Sequence, residues 1–303
     1  MNFDPVFIIG DHRSGTTVLY QALARTRAFN VVTAYHVIRD RDIVPNYIAG
    51  REEEARRELA DELARRGLTD RVIDGMMVTP DLPEEYGFVI DSAPRPRLRS
   101  STLPALIDLC RRLRLTGGDR PVLLKNPWDV LGFAFVKQSL PRAKLIFVHR
   151  HPLAVMSSQL AASRSLFAAR NEYVALLSPW YRNLFDQPVR LRLARAASGR
   201  PGPRIVSRHV KKVTRYYLEH IDAVPSGDYV ELRYEDLCAA PAAMIAKVLN
   251  FLALPTDAAA CAADVVRPRR AAVLPEVLER YRQVRQAMAA YCTRHGYEME
   301  GVS

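Results

Sequence analysis

Apolar residues are arranged along the chain in two ways. Short unbroken runs, Val6 to Ile9, Val31-Val32-Thr33, Pro121 to Leu124, Lys144 to Val148 and Asp228 to Leu232, read as strands buried on both faces. Between them, apolar positions three and four apart predict helices. These follow residue 16 (Leu19, Leu23), cover Leu103 to Leu113, 129–139, the segment carrying Ser157 and Ser158, 205–221 and Ala242 to Leu252, and end with Pro275 to His295. Residues 51–66 pair Glu52/Arg56, Glu53/Arg57, Asp61/Arg65 and Glu62/Arg66 at i,i+4 and stop at Gly67, the pattern of a solvated helix. Residues 68–100, with Pro80, Pro83, Pro94 and Pro96, read as irregular. Pro188 to Arg204 holds five arginines, three prolines, two glycines and no acid, and reads as a mobile loop or short insertion.

Strands alternating with helices predict an α/β fold of three layers, a parallel central sheet with helices on both faces. The chain shows no internal repeat and no clear linker, so residues 1–303 are expected to form a single domain. Ligands of such sheets bind at the carboxyl ends of strands. Arg13, His36, Lys125, Arg150 and Tyr234 each follow a predicted strand.

The first strand runs into Gly10-Asp11-His12-Arg13-Ser14-Gly15-Thr16-Thr17. Strand, glycine loop and helix together make an anion cradle, because the loop amides and the helix N-terminus point at one place. Ser14, Thr16 and Thr17 add hydroxyl donors. The Gly-x4-Gly spacing is that of a nucleotide loop, yet Thr16 stands where a nucleoside triphosphatase carries lysine. The nearby cation is Arg13, inside the loop.

Composition narrows the setting. Lys and Arg exceed Asp and Glu by 44 − 33 = +11, which favours anionic partners. No apolar run approaches the roughly 18–20 residues that span a bilayer, and Met1 to Pro5 does not open a secretory signal, so a cytoplasmic location is expected. Cys110, Cys238, Cys261 and Cys292 form no C-x-x-C pair, which predicts free thiols and no zinc site.

A second anion element is Arg150-His151-Pro152 with Ser158 eight positions after Arg150. An arginine at a strand end and a serine on the next helix can hold one phosphate from two sides. Arg13 to Thr17, the R-x-P-x5-S stretch from Arg150 to Ser158, Lys125-x-Pro127, and Tyr234-Glu235-Asp236-Leu237 with Pro241, Phe251 and Leu252 occur in this order. Together they resemble the bacterial-type sulfotransferases that use 3′-phosphoadenosine 5′-phosphosulfate (PAPS), which have a P-loop NTPase-like fold.

The resemblance implies roles. Arg13, Ser14, Gly15, Thr16 and Thr17 would cradle the 5′-phosphosulfate. Arg150 and Ser158 would hold the 3′-phosphate, Tyr234 would lie near the adenine, and Arg269 and Arg270 of a basic turn would close over the 3′-phosphate. An acceptor hydroxyl or amine would attack sulfur in line, releasing adenosine 3′,5′-bisphosphate. Arg13 and Lys125 would stabilise charge on the departing oxygen without a metal. The general base is expected at His36 or, as second choice, Asp129, where many relatives have Lys-x-Pro-x-His. His12, His149 and His151 are expected in supporting roles. The acceptor would be a small molecule, lipid or carbohydrate, its pocket shaped by insertions at about 34–120 and 160–220; the oligomeric state stays open. The alternatives are a P-loop small-molecule kinase, which lacks its lysine here, and a basic nucleic-acid-binding protein, for which only residues 188–215 offer a suitable stretch.

Overall fold

The computed structural model describes residues 4–71, 76–267 and 272–300. Among these residues five parallel strands stand in the order β2-β3-β1-β4-β5: β1 (Val6–Ile9), β2 (Asn30–Val31), β3 (Val122–Lys125), β4 (Lys144–His149) and β5 (Tyr229–Arg233). β1 is central, with Ile8 beside Lys125 of β3 and Ile146 of β4. That register puts the loop after β1 level with Lys125 and Arg150.

Successive residues of a strand face opposite sides. Val6 and Ile8 join Leu19, Leu23, Ile146, Ile245 and Leu249 on one face. Phe7 and Ile9 join Leu124, Leu145, Phe147, Leu160, Val210 and Tyr281 on the other. Both faces are covered, which explains the unbroken apolar runs. Each such side chain contributes about 1.5–3 kcal/mol when fully buried, whereas an exposed pair such as Arg66–Glu62 contributes at most about 1 kcal/mol. Packing therefore sets where the strand ends lie. A third cluster around Tyr35, Leu59, Leu63, Leu82 and Tyr173 forms separately from these two.

The predicted helices form, and four of the expectations are corrected. The second strand is only two residues long, and a helix, Ala34–Ile38, begins early enough to contain His36. Residues 127–139 split into a 3-10 turn, Pro127–Leu131, and a helix, Phe133–Ser139, at Gly132. The last helix breaks into Pro275–Val284, a 3-10 turn at Arg285–Met288 and Ala289–Arg294. The largest departure is at 188–204: Pro188–Ser198 is helical, and Gly202–His220 follows it after a short turn. Proline fits the first turn of a helix, and Gly199 ends this one, so the residues that suggested a loop mark helix boundaries instead.

The four cysteines are free: Cys110 and Cys292 are buried, Cys238 half-buried and Cys261 exposed. Among the described residues, no helix is long and apolar enough to cross a membrane.

Candidate active site

The loop after β1 is shaped by two glycines that tolerate no side chain. A Cβ on Gly10 would lie 2.8 Å from the Val148 carbonyl oxygen. One on Gly15 would lie 2.2 Å from the Tyr234 ring, and Gly15 has φ +102°. Arg13 also has positive φ, 69°, which costs a non-glycine residue about 1–2 kcal/mol. Neighbours brace this conformation. Gln159 donates to the His12 carbonyl at 3.0 Å, Arg150 Nη1 donates to the Arg13 carbonyl at 2.9 Å, and His209 Nε2 lies 2.8 Å from Asp11 Oδ1. The helix Thr16–Arg25 starts at Gly15, with Thr16 buried and Thr17 half-buried. Ser14 Oγ is buried and has no hydrogen-bond partner among the described residues, so its hydroxyl is available to a bound anion.

The second anion element comes to the same loop. The helix Pro152–Ala168 begins directly beyond the end of β4 and carries Ser158, whose Oγ accepts from Arg13 Nε at 3.0 Å. The Arg150 guanidinium lies 4.3 Å from the centre of the Tyr234 ring. Arg13, Gly15, Arg150, Ser158 and Tyr234 thus meet although they come from three widely separated parts of the chain. The Arg13 side chain points to Ser158.

Lys125 points elsewhere. Its side chain is 2% exposed, and its ammonium pairs with Glu85 at 2.7 Å. Glu85 belongs to the irregular stretch that carried no sequence signal. Glu84 N donates to the Val32 carbonyl and Tyr86 N to the Lys125 carbonyl, so this segment lies across the ends of β2 and β3 and delivers Glu85 beside the loop. Burial alone would raise the Glu85 carboxyl; the Lys125 ammonium and His12 outweigh it and hold the group below its usual range. His12, packed edge-on against Trp128, is pushed down to about 4 by burial and is neutral at pH 7. Glu84 is tied instead to Arg71 and to the Tyr173 hydroxyl.

The two bases suggested by the sequence sit in other surroundings. Asp129 is 1% exposed, and both its oxygens are occupied: Oδ1 accepts from Leu98 N, and Oδ2 accepts from Asn126 Nδ2 and the Tyr86 hydroxyl. Burial raises its carboxyl in spite of these bonds. Its place is that of a structural anchor. His36 closes a capping box: its Nδ1 lies 3.0 Å from Thr33 N and 3.0 Å from Thr33 Oγ1. Burial pushes it down to about 3, with Arg56 and Arg112 acting in the same direction. It lines a cleft of about 620 Å³ beside β2, together with Gln21, Arg25, Arg56 and Met76.

The remaining histidines are built into the frame. His151 Nδ1 accepts from Leu153 N and caps its helix, and its Nε2 meets the Glu298 carbonyl at 2.8 Å. His149 meets the Tyr291 hydroxyl at 2.9 Å and stacks on His295 at 3.7 Å. His149, His295 and Glu231 offer three possible ligand atoms within 4.8 Å of one another. The two rings are only 24° from parallel. An imidazole ligand holds its ion in the ring plane, so stacked rings do not converge on one ion. Arg269 and Arg270 lie outside the described residues.

These features can be set beside known proteins. The sulfotransferase family profile matches residues 5–258, most of the chain. The chain belongs to the sulfotransferase family. Among solved structures, sulfotransferase STF9 from Mycobacterium avium is similar at 19% identity, with 99% of this chain and 79% of that one covered and a TM-score of 0.63. STF1 from Mycobacterium tuberculosis gives 16% identity, 95% and 77% coverage and a TM-score of 0.57. A sulfotransferase from Alicyclobacillus acidocaldarius gives 14%, 98% of each chain and 0.50. At these identities the likeness establishes the fold, the α/β sheet expected from the sequence. No curated protein matches the chain. Sulfotransferase membership displaces the kinase and nucleic-acid alternatives.

Proposed function

We propose that this sulfotransferase takes its sulfuryl group from PAPS and passes it to a hydroxyl or amine of a small-molecule, lipid or carbohydrate acceptor. The convergence of Arg13, Arg150 and Ser158 on one side of the loop carries this reading. Two cations and a hydroxyl beside an anion cradle suit a donor with phosphate at both the 5′ and the 3′ position. In this reading the loop amides, Ser14, Thr16 and Thr17 hold the phosphosulfate. Arg150 and Ser158 hold the 3′-phosphate, and Tyr234, stacked under Arg150, stands near the adenine. Residues of 34–120 and 160–220 shape the acceptor pocket. Four unpaired cysteines accord with a reducing, cytoplasmic setting.

The chemistry is an in-line displacement. The acceptor oxygen or nitrogen forms a bond to sulfur while the bond from sulfur to the bridging phosphate oxygen breaks. Adenosine 3′,5′-bisphosphate departs. Lys125, held at the end of β3, supplies positive charge for the leaving oxygen, and Arg13 supplies it on the 3′ side. Glu85 takes the acceptor proton: it is ionised at neutral pH, beside Lys125, and at the carboxyl edge of the sheet. The protein's own cations neutralise the leaving group, so no metal enters this mechanism.

Ligand-induced stabilisation tests the donor. Adenosine 3′,5′-bisphosphate should raise the melting temperature well above the shift given by ADP at equal concentration. Equal shifts would rule out a dedicated 3′-phosphate site.

A further inference from the structure

The chain has no acid between Asp186 and Glu219, a stretch holding nine lysines and arginines. Its first helix, Pro188–Ser198, turns Leu191, Ala194 and Ser198 inward. At 100° per residue, Val189, Leu193 and Ala196 then lie on the outward face, with Arg190 on one side of that stripe and Arg192 on the other. Val189 is 71% and Leu193 64% exposed. The next helix adds Ile205, 46% exposed, and an outer row of Arg204, Arg208, Lys212 and Arg215. The helix is fixed in place: Arg195 donates to the carbonyls of Phe167 and Ala168, and Arg164 Nε donates to the Ser198 carbonyl.

The geometry points to this face as a docking surface for an anionic phospholipid bilayer. An apolar stripe flanked by arginines on an exposed helix matches the two layers of a membrane interface. The aliphatic tips enter the boundary of headgroups and acyl chains, and the guanidinium groups meet phosphate. Charge complementarity selects the lipid, since each basic residue near an anionic surface multiplies partitioning about fivefold. The exposed apolar residues are Val, Leu and Ile rather than aromatics. That argues against a single-stranded nucleic acid, which binds basic surfaces by stacking bases on aromatic rings. The helix that bears this face packs on the one carrying Ser158, and His209 of the next helix bonds Asp11 of the donor loop. Resting on the sulfotransferase reading, this arrangement would present the active site to acceptors carried by a membrane.

Vesicle co-sedimentation of the full chain tests the surface without any donor. Vesicles of phosphatidylcholine with about one-third phosphatidylglycerol should retain the protein, and pure phosphatidylcholine should retain at least about tenfold less. Arg190→Glu with Arg192→Glu should lower binding at least about tenfold. Val189→Ser with Leu193→Ser should weaken it severalfold at unchanged net charge. All four positions are exposed, and an unchanged melting temperature confirms that the variants fold. Equal binding to both vesicle types, no binding, or indifference to the Val189/Leu193 change overturns the proposal. So does displacement from vesicles by a DNA or RNA oligonucleotide that binds the same face more tightly. The shift given by adenosine 3′,5′-bisphosphate reports separately on the donor site, so failure of one reading is distinguishable from failure of the other.

Discussion

The Lys125 ammonium lies 2.7 Å from the Glu85 carboxylate in a setting almost closed to water. A buried pair loses most when one partner is removed, because the other charge is left uncompensated. Lys125→Met is therefore expected to lower stability by about 3–5 kcal/mol and to raise the Glu85 carboxyl. Glu85→Gln keeps shape, removes the proton acceptor and leaves the Lys125 charge uncompensated, so it should lower stability as well. It should reduce kcat by about 100- to 10,000-fold with little change in donor affinity. Because the Glu85 carboxyl is held below its usual range, the wild-type rate should keep its plateau into mildly acidic pH. Turnover within a few-fold of wild type in Glu85→Gln would move the base elsewhere.

Arg150 and Ser158 approach Arg13 from different elements, one through its main-chain oxygen and one through its side chain. Hydrogen bonds to charged groups are worth about 1.5–3 kcal/mol, or about 10- to 150-fold in affinity. Arg150→Ala should cost that much in binding of adenosine 3′,5′-bisphosphate and erase its preference over ADP. Ser158→Ala should cost less, since Arg13 keeps its charge. Calorimetric titration of both ligands reads the two effects, and a preserved preference in Arg150→Ala refutes the site assignment.

The parts legible in the sequence are those written in local pattern. β1, its loop and the helix after it follow from four apolar residues, two glycines and a helical repeat. Arg150, Pro152 and Ser158 follow from one short spacing. Glu85 was not legible, because its position depends on backbone bonds to Val32 and Lys125, 53 and 40 residues away. His36 and Asp129 carry the right chemistry beside a strand end, but direction decides their use: one closes a cap and the other anchors Tyr86, Asn126 and Leu98. At 188–204 the same prolines and glycines that break helices also bound them, and only the packing of Arg195 and Ser198 against the neighbouring helix separates the two cases.

Gly15 joins the loop to Tyr234. A methyl group there meets the ring at 2.2 Å while φ stays at +102°. Gly15→Ala must therefore shift the loop or displace Tyr234, and with it the ring under Arg150. Loss of ligand-induced stabilisation is expected, with destabilisation of at least about 1 kcal/mol from the backbone alone. Gly67 gives the control: it also has positive φ, but a Cβ there meets nothing within 4 Å among the described residues. Gly67→Ala should carry a backbone cost of similar size and leave ligand binding intact. Equal binding by the two variants would show that the Gly15–Tyr234 contact does not shape the site.

His36 and His12 have folded-state pKa values near 3 and 4, against an ordinary 6.5. Between pH 6.5 and about 4 the unfolded chain binds protons that these folded imidazoles refuse, so stability falls as the pH falls through that window. The slope is at most about 1.4 kcal/mol per pH unit for each histidine. Asp129 and Glu84 act in the opposite sense, since their folded carboxyls are raised and take a proton more readily than in the unfolded chain. His36→Gln isolates one imidazole. Thr33-x-x-His36 is a capping box with histidine in the position that Glu or Gln commonly fills, so glutamine can keep the bond to Thr33 N. The variant should match the wild type near pH 7.5 and unfold at a higher temperature than it near pH 5. Parallel melting curves for the two proteins across that range would show that His36 takes its proton in the folded state as readily as in the unfolded one.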